Sequence, residues 1–137
     1  MGEQRREQVL REVLAAFNAH DLDAIMRHFA DDCVFESPRG PDPWGTRFTG
    51  RSEVRRGLAA RFEGIPDVRY SDDDHFLAGT RGASEWTLSG TTADGERIEV
   101  RGCDLWTFDD EDRIVCKDSF WKIRVTSQER GPQQPTP

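Results

Sequence analysis

Apolar residues recur at helical spacing in the first half of the chain and alternate with polar ones in the second. From Gln4 to Ala19, Val9, Val13, Ala16 and Phe17 fall three or four apart, with Leu10 and Leu14 widening the stripe, which predicts an amphipathic helix of about four turns. Asn18-Ala19-His20 breaks it, and Asp21 is placed to cap a second, short helix with Leu22, Ile25, Met26 and Phe29 on its inner side. Cys33 to Ser37 reads as a short strand. The stretch SPRGPDPWG that follows carries glycines and prolines that argue against regular structure. A third helix is expected over Arg51 to Glu63, with Val54, Leu58, Ala59 and Phe62 inward.

From Val68 the period changes to two. Strands are predicted near Val68–Ala78, Gly82–Thr91, Arg97–Phe108 and Ile114–Val125, joined by short Gly- and Asp-containing turns. Three helices followed by a long, mainly antiparallel sheet make an α+β fold in which the helices cover the sheet's apolar face. One domain over residues 1–125 is expected. The tail over 126–137 lacks an apolar anchor and is expected to be disordered.

Candidate chemistry concentrates in Gly95 to Ile123, which reads as a β-hairpin. Asp104 alternates with Val100, Gly102, Trp106 and Phe108, and Asp118 with Ile114, Cys116 and Phe120, so each acid sits among apolar neighbours. A buried carboxylate must be paired, hydrogen-bonded or neutralised. If the turn takes five residues, Asp109 to Arg113, then Asp104 faces Asp118 and the two titrate as a coupled pair. A four-residue turn would instead set Asp104 against Lys117 and send Asp118 to the other face. The first register matches apolar to apolar on both sides of the acids and is favoured.

With 137 residues the chain suffices for one core. A net charge of −7 and no basic face make nucleic acid an unexpected partner. No run of apolar residues is long enough to span a bilayer, and the N-terminus lacks the apolar core of a signal peptide, so a cytoplasmic protein without membrane association is expected. Cys33, Cys103 and Cys116 are widely spaced and unaccompanied by zinc-site histidines. His75 after Asp72-Asp73-Asp74 does not suggest a metal either, because consecutive strand residues point to opposite faces.

The segments FNAHDLDAIMRHFADDCVFESPRGPDPWG, TGRSEV, GCDLWTF and KDSFWKI resemble, in this order, the NTF2-like superfamily, in particular its SnoaL-like and ketosteroid-isomerase-like branch, over about residues 5 to 125. The resemblance implies a cone-shaped fold around a small-molecule pocket, a homodimer built on the sheet face, and no cofactor. It also implies an isomerase, cyclase, dehydratase or epoxide hydrolase acting by acid/base chemistry on a hydrophobic substrate. Non-catalytic binders and dimerisation modules of the same fold are the alternatives. The isomerase pattern puts its hydrogen-bond-donating strand acid on Asp104, its base on Ser37 and its helix tyrosine near Val13. Asp118 is similar to the last-strand acid of SnoaL-type cyclases.

The expected catalytic set is therefore Asp104, Asp118 and Glu85, the last taken as inward with Ala83, Thr87 and Ser89. Phe17, Ser37, Trp44, Phe62, Trp106, Phe108, Cys116 and Phe120 are expected to line the pocket, and Trp86 and Leu88 to face a dimer partner.

Overall fold

The computed structural model describes residues 2–125, so the expected disordered tail and the domain boundary before it lie outside the described residues. The first helix, α1 (Gly2–Asn18), buries the predicted stripe of Val9, Leu10, Val13, Leu14, Ala16 and Phe17. Asp21 caps α2 (Leu22–Met26), its carboxylate accepting from the Ala24 amide at 3.1 Å. Two strands follow, β1 (Phe29–Asp42) and β2 (Gly45–Thr49), then α3 (Arg51–Gly64) and the run β3 (Arg69–Ala78), β4 (Arg81–Thr91), β5 (Arg97–Phe108) and β6 (Ile114–Trp121). The six strands form one sheet ordered β2-β1-β6-β5-β4-β3, in which only β1 and β6 run parallel. The helices do not all precede the sheet, because β1 and β2 intervene between α2 and α3.

SPRGPDPWG is not a coil, although the β1/β2 register shifts between Ser37 and Asp42 and Pro43-Trp44 makes the turn. β1 continues through it to Asp42, and β2 folds back along it. Pairing of β1 with β6 ends at Glu36 opposite Asp118, so beyond this point β1 has β2 on one side only and its prolines break no ladder bonds on the other. Gly45, at φ +81°, is obligatory: a Cβ there would lie 1.9 Å from the Ser37 carbonyl oxygen.

On the helix-covered face the three central strands set their side chains in rows. Gly82, Trp106 and Lys117 form one row, Ser84, Asp104 and Ser119 the next, and Trp86, Gly102 and Trp121 the third. Gly102 makes room for the tryptophans beside it, since a Cβ would come within 2.4 Å of the Trp86 ring.

Trp86 and Leu88 are core residues, 2% and 0% exposed, and not the sheet-face contacts expected. Their large apolar side chains take the interior side of β4, which turns Glu85 outward, against the expectation that it faces in.

The five-residue turn from Asp109 to Arg113 forms, and Phe108 faces Ile114 as predicted. Beyond it Val115 is an extra residue: Thr107 pairs with Cys116, Leu105 with Asp118 and Asp104 with Ser119. This β-bulge moves every later residue of β6 to the opposite face. Asp104 therefore does not oppose Asp118. Lys117 and Ser119 turn inward, while Cys116, Asp118 and Phe120 share the outer side with Leu105 and Cys103.

Candidate functional site

Behind the row containing Asp104 lies a buried polar network. Asp104 and Lys117 are 4% and 5% exposed, and their ion pair measures 2.8 Å from Nζ to Oδ1. Ser119 donates to the same oxygen at 2.5 Å, and Trp86 Nε1 donates to Oδ2 at 2.9 Å. Every neighbour of Asp104 is a donor, the environment of a carboxylate rather than of the protonated, donating acid that the isomerase pattern implied. The hydrogen-bond donor at this position is Lys117. Its ammonium gives two bonds, to Asp104 and Ser119, and lies 5.0–5.5 Å from the ring centres of Phe35, Phe17 and Trp106. Burial lowers its pKa, and the Asp104 charge opposes that shift.

A second chain of bonds runs alongside. Trp106 Nε1 donates to Ser84 Oγ at 2.9 Å, and an indole can only donate. Ser84 Oγ is also hydrogen-bonded to His75 Nδ1 at 2.7 Å, and His75 Nε2 lies 2.9 Å from the Asp73 carboxylate. A bulge between Ser71 and Asp74, with Asp72 at φ +53°, allows Asp73 and His75 to meet. His75 thus serves this network.

Two voids flank Lys117, each of ≈10 Å³, room for about one water. The first is lined by α1 together with Tyr70, Ser84, Asp104 and Trp106. The second lies between Phe35, Arg61, Trp86, Ser119 and Trp121. Burial pushes the Tyr70 phenol well above its usual range, against the pull of the Arg61 charge.

Access comes where β1 peels away from β6. There a cleft of ≈350 Å³ is lined by Glu36, Ser37, Trp44, Asp118, Phe120 and others, and it shares Pro38, Ser119 and Trp121 with the second void. Trp121 is the partition between outside and inside, with the Arg61 guanidinium stacked 4.3 Å above its ring. Residues of both faces of β6 reach this cleft because the strand has lost its β1 neighbour. Asp118 belongs to it. Burial raises its pKa first, then the charges of Glu36 and Asp104. Glu36 itself is paired to Arg47 at 2.7 Å.

The expected site residues thus separate into groups. Phe17 and Trp106 line the inner voids with Asp104, and Phe108 is fully in the core. Phe62 stands at the edge, 6.0 Å from Phe17 and 4.6 Å from His20. Ser37, Trp44, Phe120 and Asp118 line the outer cleft. Glu85 lies in a separate groove with Arg101, Cys103 and Phe120. Cys116 is on the outer face, half-buried between Thr107 and Val34. Lys117, Ser119, Ser84, His75, Tyr70 and Arg61 were not among the expected site residues. Lys117 carried a signal only through the alternative hairpin register.

The sequence matches the model of the SnoaL-like domain over residues 10–116. The chain belongs to the SnoaL-like family. Comparison with the curated proteins finds no match. Among solved structures, this SnoaL-like chain is similar to an NTF2-like protein of unknown function from Mesorhizobium loti, with 29% identity, 88% of this chain and 93% of that one covered, and a TM-score of 0.72. A Xanthomonas campestris protein provisionally assigned as a polyketide cyclase superposes with a TM-score of 0.77 at 21% identity, covering 94% and 96% of the two chains. The epoxide hydrolase/cyclase-like enzyme SalBIII, of pyran ring formation in salinomycin, gives 0.76 at 22% identity, with 90% and 95% covered. The last two likenesses establish the α+β NTF2-like fold. No helix among the described residues is long and apolar enough to cross a membrane.

Proposed function

We propose that this SnoaL-like protein is a cofactor-free acid/base enzyme acting on a hydrophobic, carbonyl-bearing small molecule that enters by the β1/β6 cleft. The observation that carries the reading is the buried Lys117–Asp104–Ser119 network, whose Ser119 lines both the cleft and the void behind it. A buried ion pair gives little net stability compared with apolar residues of the same volume, so its retention beside an access route points to chemistry. In the proposed step the Asp118 carboxylate takes a proton from the carbon next to the carbonyl. The bonding pair moves onto the carbonyl oxygen, and the resulting enolate accepts a hydrogen bond from the third Lys117 hydrogen. Return of the proton at another carbon is an isomerisation, and attack of the enolate carbon on a second carbonyl closes a ring. The similar structures named above, one provisionally assigned as a polyketide cyclase and one an epoxide hydrolase/cyclase-like enzyme, accord with this class.

The test is deuterium exchange at the activated carbon of 2-tetralone in D₂O, followed by proton NMR. The protein is expected to accelerate exchange by about 10²-fold over buffer, as general acid–base catalysis typically does. Lys117→Met and Asp118→Asn should each remove most of the gain. Exchange at the buffer rate with the intact protein would end the enzyme reading.

One observation favours a second reading. The interior voids have room for about one water each, while Phe76 and Phe120 are 52% and 47% exposed on the outer sheet face. A filled cone with an apolar outer face fits a protein that chiefly dimerises. We propose a homodimer through that face in either case.

A further inference from the structure

The void between Arg61, Trp121 and Lys117 has an unbalanced lining. Its charged groups are two cations, and no carboxylate touches it: Asp104 stands behind Lys117 and Ser119 and lines the other void. Lys117 is neutralised there by Asp104. Arg61 is not. It is absent from every ion pair found among the described residues, in a chain with 26 acidic residues, and it stacks on Trp121 at the partition between cleft and interior. The remaining walls are mostly flat or apolar, Phe35, Leu58, Trp86 and Leu88 among them, and add two neutral hydroxyls, those of Ser119 and of Tyr70, which hydrogen-bonds Arg61.

From this lining we infer that a planar, hydrophobic anion seated in the ≈350 Å³ cleft extends its carboxylate or ionised enol to Arg61, with its flat body against Trp121. The inference rests on the small-molecule reading of the same site. The guanidinium fork matches a planar, two-oxygen anion and pays little hydration to leave water. Glu36 and Asp118 line the outer wall of the cleft and repel an anion there. The charged end of the ligand is therefore turned towards Arg61 and its uncharged end is left towards Asp118. Entry needs Arg61 to exchange the Trp121 ring for the ligand, which joins the void to the cleft.

Three probes share one ring size and differ in charge: 2-naphthoate, 2-hydroxy-1,4-naphthoquinone as its enolate, and neutral 2-naphthamide. Binding is followed by the indole N–H signals of Trp86 and Trp121 in ¹⁵N-labelled protein, with Trp121→Phe fixing the assignment. At least one anion should bind about tenfold or more tightly than the amide, as expected for a charge-assisted pair. Which anion does so distinguishes a carboxylate from an enol ligand. Arg61→Gln should abolish the preference, and Arg61→Lys should restore part of it. Equal binding of naphthoate, enolate and naphthamide by the unaltered protein would overturn the inference and leave the pocket reading standing, whatever the variants do. So would naphthoate binding unchanged in a folded Arg61→Gln protein. Failure of all three compounds to shift either indole would overturn both.

Discussion

Asp104 illustrates how one carboxylate can be fully occupied and still organise a site. Lys117, Ser119 and Trp86 together use both of its oxygens. Replacing Asp104 by Leu strands the Lys117 ammonium among aromatic rings and should cost about 3–5 kcal/mol in urea unfolding, as broken buried pairs do. The double variant Asp104→Leu/Lys117→Met should recover most of that loss; a double variant no more stable than the single one would refute the pairing. Asp118 behaves differently, being only partly covered. Its raised pKa means that the base form is lost as pH falls through a midpoint above the ordinary aspartate value of 3.8. Tetralone exchange should therefore decline on an acid limb above that value, and a rate profile flat down to pH 4 would remove Asp118 as the base. For stability the sign is opposite. The folded protein holds this proton more firmly than the unfolded chain, so the group favours folding in acid and that contribution fades as pH rises through its folded value.

At the scale of elements, the hairpin of β1 and β2 is the part that shapes the cleft, and Gly45 is its pivot. Gly45→Ala forces a Cβ onto the Ser37 carbonyl at positive φ and should cost about 1–3 kcal/mol of local stability, comparable to overpacking elsewhere. Hydrogen exchange at β2 amides would register it; unchanged protection would contradict the geometry. Most elements were legible in the sequence, because α1, α3, β4 and β5 each bury a stripe with the right period, while β3 and β6 are each interrupted by a bulge. The hairpin 37–49 was not, since its glycines and prolines also suit a coil, and only the missing β6 neighbour makes them acceptable in a strand. The Val115 bulge left no mark either: Val115 has the composition of an ordinary strand residue. Yet that one residue decides whether Asp104 meets an acid or a lysine. Glu85 was misplaced for a related reason. Alternation shows that β4 has two faces, and only the bulk of Trp86 and Leu88 tells which is inside.

For the molecule as a whole, the helices and the inner sheet face enclose one continuous core, while the outer face presents exposed Phe76 and Phe120 beside half-buried Leu105 and Cys103 among the described residues. The proposed homodimer would bury them. Sedimentation should show two copies in solution and Phe120→Asp should shift the protein to single copies; a monomeric unaltered protein would exclude the arrangement. Since Phe120 also edges the cleft, the same variant tested for probe binding shows whether association and ligand entry depend on each other.

The separation of β1 from β6 after Glu36 has a consequence for how such a protein can change. The walls of the entrance come largely from residues 37–45, which contribute little to the core. New ligand preferences can accordingly arise by substitution in that hairpin tip outside Gly40 and Gly45, at small thermodynamic penalty, while the ionic centre behind it is left untouched.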